Sequence, residues 1–206
     1  MKVIIHIGLH RTGTTFLQKD VFEKIPNINY VFDDSLHRIK LTPGTNLISN
    51  EGLSLSMPHS LPNRIQILDL LKILFPEAKI IIGFREKEKW LRSCYYRYVI
   101  SGGKLSFEKY LENYKSNVIN YEQYMFELRK RFKEIYVYQF EELNKNREKT
   151  IKDICAFIGC KVPDYKVVRR NVSLSDSQLN FVRWLNKFYV GKYFMELIKR
   201  LRRTPT

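Results

Sequence analysis

Residues 2–15 read KVIIHIGLHRTGTT, a short apolar, β-branched run that passes into a turn rich in glycine and threonine. The run predicts a β-strand, and the apolar periodicity from about Gly13 to Lys24 predicts a helix. Two glycines five positions apart allow a compact loop whose amides point inward beside the positive end of the helix dipole. The stretch therefore predicts a site for a phosphate or sulfate oxyanion, to which Thr14 and Thr15 add hydroxyl donors.

Beyond this loop, runs suited to strands alternate with apolar-periodic segments suited to helices. The predicted strands are Ile28–Phe32, Asn46–Asn50, Lys79–Phe84 and Glu134–Phe140, the last two as core strands. The predicted helices are Pro62–Phe75, Glu86–Ile100, Phe107–Asn113, Tyr121–Phe132, a segment capped by Gly159, Ser175–Phe188 and Lys192–Arg203. The alternation predicts an α/β fold of P-loop type, a three-layer sandwich with a mainly parallel central sheet flanked by helices. A length of 206 residues, 44% of them hydrophobic, predicts a single domain over residues 1–206.

The net charge of the chain is +15, from 36 Lys and Arg against 21 Asp and Glu, which favours anionic partners. Part of the excess lies in residues 188–206, predicted to form a basic amphipathic C-terminal helix. Such a helix either docks peripherally on a membrane or packs on the core. No nucleic-acid motif is recognised, so a nucleic-acid partner is not expected. A non-enzymatic binder of anionic surfaces remains an alternative function.

Cysteine content bears on the cellular compartment. The chain has three cysteines, Cys94, Cys155 and Cys160. An odd number without a C-x-x-C pair favours a reducing environment over a disulfide framework. Cys155 stands among apolar residues and is predicted to be a core thiol. Because a strand starts at about residue 2 and no run reaches the ~20 apolar residues of a membrane span, we expect a cytoplasmic protein, with any membrane contact at the inner face.

The glycine-rich loop departs from that of ATP-binding proteins. A G-x-x-x-x-G-K-[ST] loop would have Lys where Thr14 stands, and here the cation is three residues upstream, at Arg11. The apolar run Lys79–Phe84 ends in Arg85 rather than Asp, so the sequence shows no evident magnesium ligand, which phosphoryl transfer from ATP would require. A sulfuryl group carries less charge and can be transferred without a metal. The loop therefore favours sulfate chemistry with no metal site, and a kinase acting on a small metabolite is the alternative.

Two motifs resemble those of the sulfotransferase superfamily. Arg11-Thr12-Gly13-Thr14-Thr15 is similar to its [K/R]-x-G-T-T loop, and Arg85 precedes Ser93 by the eight residues typical of its second signature. The resemblance implies that residues 11–15 bind the 5′-phosphosulfate of 3′-phosphoadenosine 5′-phosphosulfate (PAPS). It also implies that Arg85 and Ser93 grip the 3′-phosphate and that adenosine 3′,5′-bisphosphate (PAP) is the product.

Two weaker similarities follow along the chain. The stretch YQFEEL from Tyr138 to Leu143 and the helix end Phe157-Ile158-Gly159 look like the family's strand, turn and helix end, which are structural. The stretch RRNVSLS from Arg169 to Ser175 resembles a loop of bacterial glycan-directed members. That resemblance implies that Arg170, Asn171 and Ser173 close over the nucleotide, and it favours a carbohydrate hydroxyl as the acceptor. If the C-terminal helix docks on a membrane, a glycolipid acceptor is expected instead; small phenols and amines remain open alternatives.

The reaction needs a group that stabilises charge on the bridging oxygen and a base for the acceptor proton. We expect the loop amides and Arg11 to serve the first role, although Arg11 stands where most of the family has Lys and cannot donate a proton. Glu51 is the first candidate base, because it follows a strand whose carboxyl end should face the loop, and related glycan sulfotransferases use a Glu comparably. We expect burial to raise its pKa toward neutrality. His10, within the loop, is the competing base. His6, between apolar residues, is predicted to be a core side chain.

Overall fold

The computed structural model of the chain describes residues 1–32, 39–54, 61–114, 120–167 and 174–188. The predictions for Arg169, Arg170, Asn171 and Ser173, and for the C-terminal helix beyond residue 188, lie outside these ranges. The chain divides into two compact units, one drawn from residues 1–86 and 117–168 and the other from 87–116 and 169–206. The assignment of all 206 residues to one domain stays a prediction.

A five-stranded parallel sheet forms the centre of the first unit. The strands are β1 (Lys2–His6), β2 (Asn29–Val31), β3 (Thr45–Ser49), β4 (Lys79–Phe84) and β5 (Ile135–Gln139), in the order β2-β3-β1-β4-β5. The most apolar strands, β1 and β4, lie inside the sheet, as expected for strands covered on both faces. His6 is level with Ser49 of β3 and Ile81 of β4, so the segments that follow these strands emerge at one edge.

Eight α-helices are found in the described residues. They are α1 (Thr14–Phe16), α2 (Leu61–Leu74), α3 (Lys87–Ile100), α4 (Phe107–Tyr114), α5 (Tyr121–Arg131), α6 (Phe140–Lys145), α7 (Arg147–Ile158) and α8 (Asp176–Lys187). Helix α1 continues as a π turn over Leu17–Val21 and a 3-10 turn over Phe22–Lys24. Gly159 ends α7 in the left-handed conformation, φ 83°, as predicted. The stretch predicted as a turn after β5 is instead α6.

Both faces of the three inner strands, β1, β3 and β4, are buried, which confirms the predicted α/β architecture. On one face Ile4, Leu47 and Ile81 pack with the helical segment that follows the loop and with α7, where Cys155 is a buried core thiol as predicted. The side chains that alternate with these along the strands, such as Ile5 and Ile80, are also fully buried. Helices α2 and α5 contact each other in the same unit, and their inward residues are Leu68, Leu71, Tyr124 and Leu128.

The expectation that Glu134–Phe140 forms a core strand is wrong in one respect. Among the described strands, β5 pairs with β4 alone and lies at the sheet edge. Of its five residues only Tyr138 is buried, and Val137 is 37% exposed. An apolar, β-branched run is compatible with an edge strand as well as an inner one, because pairing order depends on distant strands.

The second unit is helical in its described part. Helix α8 begins at the N-cap Ser175, whose side chain accepts from the Gln178 amide in a capping box. The buried Asn186 side chain of α8 donates to the carbonyl oxygens of Val99 (2.8 Å) and Gly103 (2.7 Å), at the end of α3. These two hydrogen bonds fix α8 to α3.

His6 is a fully buried core residue, as the sequence predicts. Its Nδ1 lies 2.7 Å from Ser49 Oγ and its Nε2 lies 3.3 Å from the Tyr138 hydroxyl. Burial lowers the pKa of His6 from 6.5 to about 3, against the opposing field of the Glu51 carboxylate. The imidazole is therefore neutral in the folded protein near pH 7.

This neutral imidazole predicts that the protein loses stability in acid. Between pH 6.5 and about 3 the unfolded chain protonates His6 and the folded chain does not. The stability that His6 contributes is complete above pH 6.5 and falls below it, by at most about 1.4 kcal/mol per pH unit. Urea unfolding from pH 7 to pH 4 should therefore show a steeper loss of unfolding free energy for the wild type than for His6→Gln. Equal slopes would show that His6 takes up its proton in the folded state.

Candidate active site

The loop between β1 and α1 has the shape expected of an anion-binding turn. Arg11 and Gly13 both adopt left-handed backbone conformations, with φ of 70° and 86°. A Cβ at position 13 would also lie 2.8 Å from the Leu143 side chain, so the position requires glycine. The buried Thr12 hydroxyl donates to the Leu9 carbonyl at 2.5 Å, which closes the loop on itself. Helix α1 begins directly after the loop, at Thr14.

Glu51 and His10, the two candidate bases, lie together at this loop. Glu51 opens a 3-10 turn, Glu51–Ser54, two residues after β3. The Thr14 hydroxyl donates to Glu51 Oε2 at 2.5 Å, and His10 Nδ1 lies 3.5 Å from Glu51 Oε1. The Glu51 carboxylate thus accepts from the Thr14 hydroxyl, the donor predicted to bind an oxyanion.

Parallel pairing of β1 with β3 creates this juxtaposition. The Asn50 amide donates to the His6 carbonyl at 3.1 Å, which extends the pairing just past the strand ends. The Asn50 side chain then accepts from the Gly52 amide at 2.7 Å and turns the chain. The Ser54 hydroxyl lies 2.9 Å from the Glu51 carbonyl oxygen and 3.3 Å from the Gly8 carbonyl oxygen, between the turn and the loop. Glu51 is therefore held between two attachments to the end of β1 and the loop.

The pKa of Glu51 is displaced in the opposite direction to the one expected. Burial raises it, and this is the largest single effect, but hydrogen bonds from His10 and Thr14, together with the electrostatic attraction of His10, outweigh burial. The net result is a pKa below the usual 4.5. In the free protein Glu51 is thus an ionised carboxylate and a weak base, because two donors stabilise its charged form.

Arg85 follows β4 at the same edge of the sheet. Its Nη1 donates to the Arg11 carbonyl at 3.3 Å, and its guanidinium lies 4.5 Å from the centre of the Phe140 ring. The hydrogen bond and the ring contact orient the guanidinium beside the loop. Ser93 is a half-buried residue of α3 in the second unit, so its pairing with Arg85 stays a prediction.

Two buried polar residues near the loop were not assigned a role from the sequence. Arg64 of α2 is fully buried and donates from Nη1 to the Ser54 carbonyl, at the end of the turn that carries Glu51. It shares one helix face with Leu68 and Leu71, and an arginine on such an apolar face was the available signal. Tyr138 of β5 is buried with its hydroxyl beneath the loop, and its inward orientation depends on which strand β5 pairs with.

Neither a metal site nor a membrane span is evident in the described residues. No group of three or more His, Cys, Asp or Glu side chains there could hold a metal ion. In the same part of the chain, none of the helices combines the length and the apolar character required to cross a bilayer.

Three chemical features lie together at the carboxyl edge of the sheet. A glycine-containing loop and a helix N-terminus suit an oxyanion, two arginines supply positive charge, and an ionised carboxylate lies in direct contact with the loop. A carboxylate next to an anion site can accept a proton from a nucleophile that attacks the bound anion. The geometry therefore suits transfer of an anionic group to a hydroxyl.

Comparisons with known proteins agree with this description. A model of the "Sulfotransferase family" matches residues 20–164, a range that contains Glu51 and Arg85 and begins after the loop. A sulfotransferase from Alicyclobacillus acidocaldarius is similar in structure, with a TM-score of 0.58, 17% identity, and coverage of 93% of this chain and 94% of that one. Mouse sulfotransferase SULT7A1 complexed with PAP has a TM-score of 0.53 and 17% identity; the match covers 79% of this chain and 60% of that one. No curated protein sequence matches the chain.

The two structural similarities establish the fold, and the family match spans well over half of the chain. On the strength of that match, this chain belongs to the sulfotransferase family.

Proposed function

We propose that the protein transfers the sulfuryl group of PAPS to a hydroxyl of a carbohydrate or glycolipid acceptor. The observation that carries the proposal is the contact of the Glu51 carboxylate with Thr14 and His10 at the mouth of an oxyanion-binding loop. Family membership favours sulfuryl transfer over the kinase and the non-enzymatic alternatives. The PAP complex of the mouse relative supports the choice of donor nucleotide.

The donor would place its 5′-phosphosulfate in the loop and its 3′-phosphate near Arg85. The loop amides with Thr14, Thr15 and Arg11 would then surround the phosphosulfate, and Thr12 would contribute only its backbone because its hydroxyl already donates to Leu9. Arg85 is held in place by Phe140 and by the Arg11 carbonyl, so its side chain loses little conformational entropy when it binds an anion. Ser93 is proposed to complete the 3′-phosphate site. The loop residues Arg170, Asn171 and Ser173 are proposed to close over the nucleotide.

The transfer itself is proposed as an in-line displacement. The acceptor oxygen attacks sulfur, the bond between sulfur and the bridging oxygen breaks, and PAP leaves with the electron pair. The acceptor proton passes to Glu51. Arg11 and the loop amides stabilise the negative charge that develops on the bridging oxygen. Such stabilisation by fixed donors is usually the largest single contribution to catalysis. The leaving phosphate needs no proton, so an arginine at position 11 suffices.

Donor binding should make Glu51 a stronger base. In the free protein the Thr14 hydroxyl donates to Glu51 and helps to lower the pKa of that carboxyl. A bound phosphosulfate takes over the Thr14 hydroxyl and brings negative charge close to the carboxylate, and both changes raise the pKa of Glu51. His10, in contact with the other carboxylate oxygen, then holds Glu51 in orientation. The base is thus strengthened when there is a sulfuryl group to transfer.

Cellular location is also part of the proposal. The three cysteines are free in the structure, which fits the reducing cytoplasm. Helix α8 and its C-cap residue form an exposed aromatic row, Phe181, Trp184 and Phe188, which are 50%, 51% and 60% exposed. The basic segment 189–206 follows it directly. Aromatic and basic side chains together suit an anionic membrane surface, so we propose peripheral contact at the inner membrane face, where a glycolipid acceptor would be accessible.

Calorimetric titration with nucleotides tests the choice of donor. We expect micromolar binding of PAP, and much weaker binding of 5′-AMP, because 5′-AMP lacks the 3′-phosphate that Arg85 would hold. Magnesium-ATP is the control for phosphoryl chemistry, and we expect it to bind more weakly than PAP. A clear preference for magnesium-ATP over PAP would overturn the proposed donor.

Substitution of Glu51 tests the choice of base. Glu51→Gln keeps the size of the side chain and its ability to accept from Thr14, but it cannot take a proton. We expect sulfate transfer from PAPS to fall by roughly 10²- to 10⁴-fold, while the Kd for PAP stays within a few-fold of wild type. Loss of both transfer and PAP binding would instead assign Glu51 a structural role, and His10→Gln compared in the same assays would show whether the imidazole is the base.

Vesicle co-sedimentation tests the membrane contact. We expect the full chain to sediment with vesicles that contain anionic phosphatidylglycerol, less so at high salt, and not with neutral phosphatidylcholine vesicles. A chain truncated before Lys192 and the full-length variant Trp184→Ser should both bind more weakly. Equal binding by the full and truncated chains would refute a role for the C-terminal segment.

A further inference from the structure

Beneath the loop lies a continuous row of buried polar side chains that the proposed mechanism does not use. Gln18 Nε2 donates to Ser49 Oγ at 3.1 Å, and Ser49 Oγ lies 2.7 Å from His6 Nδ1. On its other side, His6 Nε2 lies 3.3 Å from the Tyr138 hydroxyl. The Tyr138 hydroxyl in turn faces the loop. A Cβ added at Gly8 would lie 3.2 Å from this hydroxyl, and the nearby Thr12 side chain opposes the rise that burial causes in the pKa of Tyr138. All five side chains are buried.

One assignment of protons satisfies every donor in this row. Thr12 donates to the Leu9 carbonyl at 2.5 Å, so its oxygen is left as an acceptor for the nearby Tyr138 hydroxyl. Tyr138 then accepts from His6 Nε2–H, which leaves His6 Nδ1 to accept from Ser49. This assignment requires a neutral imidazole, and the burial of His6 provides one. In this assignment the hydrogen bonds run in one direction, from the helix after the loop to the carbonyl of Leu9 inside it.

The backbone is shaped to admit the Tyr138 ring into this position. An added Cβ at Gly83, the residue of β4 level with Tyr138, would lie only 2.2 Å from the Tyr138 ring. An added Cβ at Gly8 would lie 2.8 Å from His6 Nε2 and 3.2 Å from the Tyr138 hydroxyl. The ring therefore crosses β4 through the space of a missing side chain and reaches the base of the loop.

We infer that Tyr138 is a positioning residue for the anion-binding loop, which its hydroxyl holds in shape through Thr12. Thr12 stands between the two left-handed residues Arg11 and Gly13, so its placement sets the direction of the amides on either side. Leu143, from the helix that follows β5, closes against Gly13 from the same side. The YQFEEL segment thus acts on the binding loop as well as on the core. The identity of the anion in the loop rests on the proposed function.

The test compares Tyr138→Phe with the wild type and with Tyr136→Phe. Tyr136 is a matched control because it lies on the same strand and face, but its ring packs on Phe157, 5.6 Å between centroids. Calorimetry with PAP and with adenosine 3′-monophosphate separates binding of the 5′-phosphate at the loop from binding of the adenosine and the 3′-phosphate, because only PAP carries a 5′-phosphate. We expect Tyr138→Phe to lower the affinity for PAP about three- to tenfold and to leave the affinity for adenosine 3′-monophosphate unchanged. Tyr136→Phe should alter neither affinity.

A second variant and a second readout keep the outcome interpretable. Gly83→Ala retains the hydroxyl but displaces the ring, and we expect the same selective loss of PAP affinity. Amide NMR shifts of Arg11–Thr15 in the free protein should change in Tyr138→Phe and not in Tyr136→Phe. If the wild type binds PAP and Tyr138→Phe changes neither PAP affinity nor these shifts, the positioning role is wrong. An equal loss of affinity for both nucleotides would likewise overturn the positioning role. If Tyr138→Phe changes the amide shifts but the wild type binds no PAP, only the proposed donor is rejected.

Discussion

The parallel pairing of β1 with β3 is the interaction on which the site depends. It sets His6 level with Ser49, and the hydrogen bond from the Asn50 amide to the His6 carbonyl carries the pairing past the strand ends. The glycine-rich loop and the turn that starts at Glu51 therefore leave the sheet side by side. A shift of one residue in this register would turn the buried side chains to the opposite face and separate Thr14 from Glu51.

The pKa of Glu51 in the free protein follows from its proximity to the loop. The loop that we propose to bind an oxyanion lies beside the Glu51 carboxylate of the chain itself, and the Thr14 hydroxyl donates to that carboxylate. Burial alone would make Glu51 easier to protonate, but the donors of the loop reverse the direction of its pKa shift. The same donors cannot serve both the carboxylate and a bound anion. In the proposed reaction, competition for these donors would couple the occupancy of the loop to the basicity of Glu51.

Much of the site could be predicted from local sequence, because its parts are local. The glycine spacing of the loop, the strand before it and the basic residue directly after β4 are each contained in a short window, and the structure places all of them as expected. Glu51 could be placed at the loop because parallel strands direct their carboxyl ends to one edge. The direction of its pKa shift could not be predicted, since it depends on which donors reach the carboxylate. The edge position of β5 was missed for a related reason, because an apolar run does not specify its neighbours.

By itself, the sequence determined the alternation of strands and helices, the glycine-containing loop between the first strand and helix, and the resemblance to sulfotransferases, since all three depend on residues close together in the chain. Only the tertiary structure decided that His10 and Glu51 are a contacting pair, that Arg64 is buried behind the Glu51 turn, and that Tyr138 reaches the loop through Gly83. Residues 6 and 49 meet because β1 pairs with β3, and Tyr138 of β5 reaches them because its ring crosses β4, the strand between β1 and β5, at Gly83. Such contacts depend on strand order and register, which are properties of the whole packed chain rather than of any segment.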